Sequence, residues 1–206
     1  MNYLAHLLLA EASTESRIGN LLGDFAHGVV LSELPPAVKA GLQRHRAVDR
    51  FTDQASEVLT AKTLFSQSRR RFAGIALDML FDHLLIKHWA LYQSQPFARY
   101  KTELYQQLRQ DLPQMPAAMA GTVRLLVQYD WFGQYQDLTQ LGRALDQIAN
   151  RIRFSHQFDG VINEIRPQLP QLEALFLQFF PRLQLFVAEL GPELAEESMP
   201  SAAKTC

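Results

Sequence analysis

The sequence predicts an all-α fold, a single-domain helical bundle. Three observations carry that prediction. Apolar residues recur at three- and four-residue spacing along nearly the whole chain, the period of one helix face. No alternating Val/Ile/Thr run of useful length is present, and only 10 of 206 residues are glycine, so the strand signal is weak. Prolines and small capping residues fall where helices would begin. The length suits one domain with a real core, and 13 Phe beside 20% charged residues exclude a disordered chain.

The elements follow in order. A first helix is expected from about Asn2 to Glu11, with Ala12-Ser13-Thr14 as its exit. Ser13 or Thr14 caps a second segment, on which Ile18, Leu21, Leu22 and Phe25 share helical spacing. Gly28 and Leu34-Pro35-Pro36 punctuate it, and Pro36 suits the first turn of a third helix bearing Val38, Leu42, Val48 and Phe51. Asp53 reads as the cap of a fourth, with Val58, Leu59, Leu64 and Phe65. From Arg69 to about Tyr92, Ile75, Leu77, Leu80, Phe81, Leu84, Leu85 and Trp89 wrap so much of the helix that it should be central and buried. Pro96 opens a helix through Arg109, and Pro113 and Pro116 start the next. Asp130 to Arg153 reads as one further helix after a turn at Gly133. Phe158 to Leu190 is rich in Leu and Phe and is expected to be broken by Pro167, Pro170 and Pro181. The domain is therefore expected to span residues 1–190, with 191–206 a frayed tail.

Composition excludes several classes of function. A net charge of −1 argues against a surface basic all over and hence against non-specific nucleic-acid binding. The single Cys, Cys206, excludes a disulfide framework, a Cys-based zinc site and a thiol nucleophile. No apolar run is long enough to span a bilayer, and the opening residues lack the basic segment of a signal peptide. The expected location is cytoplasmic, without membrane insertion.

Titratable residues then stand out against the apolar pattern. Asp78 and Asp82, four apart on the most apolar helix, place two carboxylates on one face. Like charges that close repel, and a bound cation would relieve them; arginines from neighbouring helices are the alternative. His45 and Asp49 share the same spacing, which makes half a metal site or an oriented acid/base pair, unless Asp49 merely pairs with Arg46 or Arg50. Asp24 lies among apolar residues between glycines, and His6 sits in the apolar run Leu4-Ala5-His6-Leu7-Leu8-Leu9, where a plain core histidine is the competing explanation. A His/Asp set without thiols favours Mn²⁺, Mg²⁺ or Fe²⁺ over structural zinc, and such ions activate water and stabilise phosphoryl charge. Nucleotide-binding glycine loops, a GxSxG elbow and HExxH are all absent.

Four blocks in order resemble the bacterial acyl carrier protein phosphodiesterases. They are Met1-Asn2-Tyr3-Leu4-Ala5-His6, Gly19-Asn20-Leu21-Leu22-Gly23-Asp24-Phe25, His45-Arg46-x-x-Asp49 with Thr52-Asp53, and Leu77-Asp78-x-x-x-Asp82-His83. The similarity continues through Trp131-Phe132-x-x-Tyr135 and Phe179-Phe180-Pro181-Arg182 and covers roughly residues 1–190. The resemblance implies an enzyme that removes 4′-phosphopantetheine from holo-acyl carrier protein. It also implies a divergent, HD-domain-like metal phosphohydrolase fold and manganese as cofactor. The adjacent pair reads Asp82-His83 here, the reverse of the usual HD order, so ligands do not carry over individually.

On this basis Asp24, His45, Asp78, Asp82 and His6 are the candidate metal ligands. Asp49 would orient His45, and His83 is the candidate general acid for a strongly basic leaving alkoxide. An acidic carrier protein needs a local basic face, and Arg44, Arg46, Arg50, Arg69, Arg70 and Arg71 are the candidate docking residues. The triple arginine also reads as an ordinary solvated helix start. Two rivals stay open at this level: a metal phosphohydrolase of another substrate such as a nucleotide, and a non-catalytic helical protein that binds an acidic partner.

Overall fold

The computed structural model describes residues 1–193. Among them are ten α-helices and no strand. They are α1 (Tyr3–Leu9), α2 (Thr14–Leu22), α3 (Pro36–Gln54), α4 (Ser56–Thr63), α5 (Ala73–Lys87), α6 (Phe97–Asp111), α7 (Ala117–Gln128), α8 (Trp131–Gln134), α9 (Leu138–Ala149) and α10 (Ile162–Leu190). The all-α expectation holds, and no helix among the described residues is long and apolar enough to cross a membrane.

The local signals for α2 and α3 act as the residue types dictate. The Ser13 hydroxyl accepts the Ser16 N–H at 3.1 Å, satisfying one of the free donors at the start of α2. Pro36 occupies the first turn of α3, where its missing N–H costs nothing. Asp53, by contrast, does not cap α4. It lies inside α3, and α4 starts after Ala55 without a side-chain cap. The expected helix from Asp130 to Arg153 is two helices. Asp130, in left-handed conformation with φ 47°, caps α8 through the Gly133 N–H, and Asp137 caps α9 through Thr139 and Gln140. Apolar periodicity ran across that junction and hid it.

α5 is the central helix, as expected. Ala76, Leu77, Leu80, Phe81, Leu84 and Leu85 are all buried, and only Ile75 of the expected stripe is exposed, at 39%. Phe81 meets Phe176 and Phe179 of α10 with ring centroids 5.3 and 5.7 Å apart. The prolines do not break α10, which runs unbroken for 29 residues. Pro167, Pro170 and Pro181 are all exposed, so the carbonyls they leave unpaired stay near water, while Ile165, Leu172, Phe176, Phe179, Phe180 and Leu183 are buried on the other side. An interior proline costs about 3 kcal/mol, and each buried large side chain returns roughly 1.5–3 kcal/mol. Six such side chains at least offset three prolines.

One close approach positions the site. A side chain at Gly19 would put its Cβ 2.4 Å from the Val38 carbonyl oxygen and 2.7 Å from the Gly41 Cα. Only glycine lets α2 lie this near α3, and that contact brings the Asn20 carbonyl against α3. Beyond α10, the first residues of the expected tail are packed, since Arg44 Nε contacts Glu193 at 2.9 Å. The rest of that tail lies outside the described residues.

Candidate metal centre and active-site cavity

His6 of α1 and His45 of α3 stack with ring centroids 4.0 Å apart and an interplanar angle of 16°. Both are buried. One turn beyond His45, Asp49 directs Oδ2 to within 2.9 Å of His45 Nε2 and Oδ1 to within 3.2 Å of His6 Nε2. One ligand atom from each of His6, His45 and Asp49 lies within 4.8 Å of the others, a group able to hold a metal ion.

The protons around this group favour that capacity. His45 Nδ1 stands 2.7 Å from the Asn20 carbonyl oxygen, which accepts only if Nδ1 carries the hydrogen. Nε2 then faces the Asp49 carboxylate, and a lone pair aimed at an anion is tolerable only with a proton or a cation between them. Burial alone would lower the His45 pKa, but the bond and charge of Asp49 outweigh it and raise it. His6 differs: burial lowers its pKa to about 4 despite Asp49, and neither ring nitrogen is aligned for a hydrogen bond. Burial thus favours the neutral imidazole, the form that binds metal. For Asp49, burial would push the pKa up, yet His45 and His6 hold it well below the usual carboxylate range. Two imidazoles and a carboxylate, without thiols, suit a divalent ion of hard or borderline character with coordination positions left open.

Gly23 keeps the space clear. A Cβ there would fall 1.9 Å from His45 Nε2. Its backbone, at φ −53° and ψ −39°, is ordinary helix, so the glycine serves room and not conformation.

Asp49 also lines a cavity of about 130 Å³, with Met1, Asp24, Asp53, Lys62 and Asp78 among its other walls. The Met1 amino group stands 3.3 Å from Asp49 Oδ1 and 3.1 Å from Asp78 Oδ1, a cation between two carboxylates. Burial pushes the Asp78 carboxyl up. Lys62 lies 3.1 Å from Asp53. From the sequence Asp53 reads as a cap and Lys62 only as one cation of the basic stretch between Lys39 and Arg71, whereas both line this cavity.

Asp82 has a different environment. Its Oδ2 and Oδ1 accept the backbone N–H groups of Leu4 and Ala5 at 3.1 and 3.2 Å, so it caps α1 from across the core. The first turn of α1 has no side-chain cap of its own. Asp82 is fully buried and is not among the residues lining the cavity. Burial raises its pKa from 3.8 to about 7 against the pull of the two N–H bonds. A carboxyl whose folded pKa exceeds its unfolded value contributes stability at low pH that is lost as pH rises through the folded value. The melting temperature of the metal-free protein should therefore fall between about pH 5 and about pH 8. Asp82→Asn should flatten that fall, and an unaltered slope in the variant would contradict it. His83 likewise lies off the cavity wall, its Nδ1 donating to the Tyr135 carbonyl at 2.7 Å.

The arginines separate by partner. Arg44 is buried, donates to the Gly191 carbonyl and is ion-paired with Glu193. Arg69 joins Glu164 and the carbonyls of Gln157 and Asp159, and Arg70 reaches the carbonyls of Thr63 and Phe65. Arg71 lies 4.9 and 4.8 Å above the rings of Phe72 and Phe154. Arg46 and Arg50 are exposed, one turn apart on α3, and have no ion pair among the described residues.

Among the described residues the regular structure is all helical, and a group of buried His6 and His45 with half-buried Asp49, able to hold a metal ion, adjoins, through Asp49, a small cavity walled in part by carboxylates. The family model described as acyl carrier protein phosphodiesterase matches residues 1–183, and the chain belongs to that family. A relative from Serratia proteamaculans (strain 568) named acyl carrier protein phosphodiesterase is 35% identical over 89% of this chain and 95% of its own length. A relative of the same name from Yersinia pestis is 36% identical with the same coverage. No solved structure matches the chain.

Proposed function

We propose that this protein is a phosphodiesterase that hydrolyses the bond between 4′-phosphopantetheine and the serine of holo-acyl carrier protein. The products are the apo-carrier and free 4′-phosphopantetheine. The observation that carries this reading is the His6, His45 and Asp49 group on the edge of a cavity that Asp24 and Asp78 also line. Family membership supplies the substrate class. Manganese is the proposed ion, with Mg²⁺ or Fe²⁺ compatible with the same donors. When bound, a divalent ion supplies an acidified water and neutralises phosphoryl charge.

The chain's own residues divide the remaining work. His6, His45 and Asp49 would hold the ion, and the Asn20 carbonyl fixes the His45 ring through Nδ1. Lys62 faces the cavity with donors for the non-bridging phosphoryl oxygens. Asp24 and Asp78 are carboxyl groups on the wall able to pass a proton to the leaving serine oxygen, a role for which they are better placed than His83, which does not line the cavity and bonds Tyr135. Asp82 acts through α1, holding the segment that carries His6. The HD-type relationship and a cytoplasmic location belong to the same proposal.

Incubating the protein with holo-acyl carrier protein should yield the apo-carrier, detected by mass spectrometry. Chelator treatment should abolish turnover and added Mn²⁺ should restore it. Faster hydrolysis of a nucleotide panel, or full activity after complete metal removal, would overturn the reading.

Arg46 and Arg50 flank Asp49 in sequence on α3 and are the arginines best disposed to meet an acidic carrier. The double variant Arg46→Glu/Arg50→Glu should raise KM for the holo-carrier by about tenfold with kcat nearly unchanged. An unchanged KM at low salt would remove these residues from the docking face.

A further inference from the structure

Asp78 lines two cavities. Besides the carboxylate cavity, it walls a second of about 290 Å³ whose apolar lining includes Ile75, Met79, Trp131, Tyr135 and Ile148. A smaller space of about 60 Å³ shares Met79, Trp131, Tyr135 and Ile148 and lengthens the groove. We propose that this second cavity seats the pantetheine arm of the substrate while its phosphoryl group lies at the carboxylate cavity. The proposal rests on the phosphodiesterase reading and extends it to the part of the ligand that does not react.

The fit is chemical as well as spatial. The volume lies near the lower end of small-molecule sites, which run from about 300 Å³ upward and combine apolar walls with a few polar groups. The arm has that composition: a branched aliphatic segment and methylenes interrupted by a hydroxyl and two amides. Aromatic and thioether walls take the aliphatic parts. Asn2 also lines the cavity and, with its side chain paired to Tyr135, adds a polar amide to the wall. Arg151 adds an exposed cation at the same wall.

The two cavities share α5 and the first residues of the chain but otherwise lie on different elements. α3 contributes Asp49, Thr52 and Asp53 to the first and nothing to the second, which is built from the α1 region, α5, α7, α8, α9 and Arg151 just beyond it. A phosphodiester bridging Asp78 would therefore have its arm toward α8 and α9 and its serine toward α3, where Arg46 and Arg50 are exposed. Binding energy taken from the arm, remote from phosphorus, is the kind that orients a reacting group.

The test fills the second cavity without touching the first. Ile75→Phe uses a position already 39% exposed, and Thr122→Phe narrows the cavity from α7, so one variant suffices if the other misfolds. Calorimetric titrations with free 4′-phosphopantetheine and, separately, inorganic phosphate are made on the full chain with Mn²⁺ present. Each folded variant should bind 4′-phosphopantetheine about tenfold or more weakly than the unaltered protein, with phosphate affinity unchanged. Equal 4′-phosphopantetheine affinity in both variants, or parallel losses for both probes, would overturn the assignment. If the unaltered protein binds 4′-phosphopantetheine no more tightly than phosphate, the arm has no seat and the inference fails. The phosphodiesterase reading fails separately, if the unaltered protein releases no 4′-phosphopantetheine from the holo-carrier.

Discussion

Asp49→Ala should lower turnover of holo-acyl carrier protein by on the order of 1,000-fold while leaving the helical content unchanged. The carboxylate bridges both buried imidazoles, at 2.9 Å from His45 and 3.2 Å from His6. Its side chain is 39% exposed, so its removal opens no large cavity in the core. What disappears is one of the three candidate ligands and the carboxylate that raises the His45 pKa. In the metal-free protein the His45 pKa should therefore drop in the variant, since burial, which lowers it, would act without the opposing carboxylate. Proton titration followed by NMR reads this directly. Asp49→Asn preserves shape without charge and should lose activity almost as fully. Turnover within tenfold of the unaltered protein in either variant would place the chemistry elsewhere.

Gly23→Ala is the second large effect, and it comes from a single methyl group. The added Cβ would lie 1.9, 2.0 and 2.5 Å from three atoms of the His45 ring, distances no relaxation of the methyl itself can relieve. The helical backbone at Gly23 accepts alanine readily, so the entire conflict falls on His45. The ring must leave its stack on His6 and its contact with Asp49, and activity should fall by roughly 100-fold or more. Stability should drop by about 1–3 kcal/mol, as for an overpacked core site. The double variant Gly23→Ala/His45→Ala separates the causes. It should recover much of the stability, because the clash is gone, and none of the activity, because the imidazole is gone. Recovery of activity in the double variant would show that His45 is dispensable.

The candidate site was partly legible in the residues. His45 and Asp49 are four apart on one helix, and helical geometry alone puts their side chains together, as their 2.9 Å contact confirms. Asp24 and Asp78, singled out as carboxylates in apolar company, do face one cavity. Asp82 drew attention for the same reason, yet it caps the backbone of α1. A buried carboxylate needs donors, and whether these come from a metal, an arginine or a helix end is invisible in the spacing of its own helix. Arg44 and Arg69 show the same limit, since charge density along the chain does not reveal which cations meet Glu193 or Glu164.

By itself the sequence determined that the chain is helical, where several helices start, and which residue types the site could draw on. Periodicity defined α5 as the buried centre, Ser13 and Pro36 started α2 and α3, and the thiol-free His/Asp set narrowed the ions that would suit the site. Those features depend on interactions within a few residues or on residue type alone. Tertiary structure decided the rest: that α10 continues through three prolines, that Gly19 lets α2 approach α3 closely enough for Asn20 to hold His45, and that His6 meets Asp49. Each of these depends on side chains far apart in the chain, where packing outweighs local preference by several kcal/mol. A repeating apolar pattern says which face is inward, but it does not say what that face will meet.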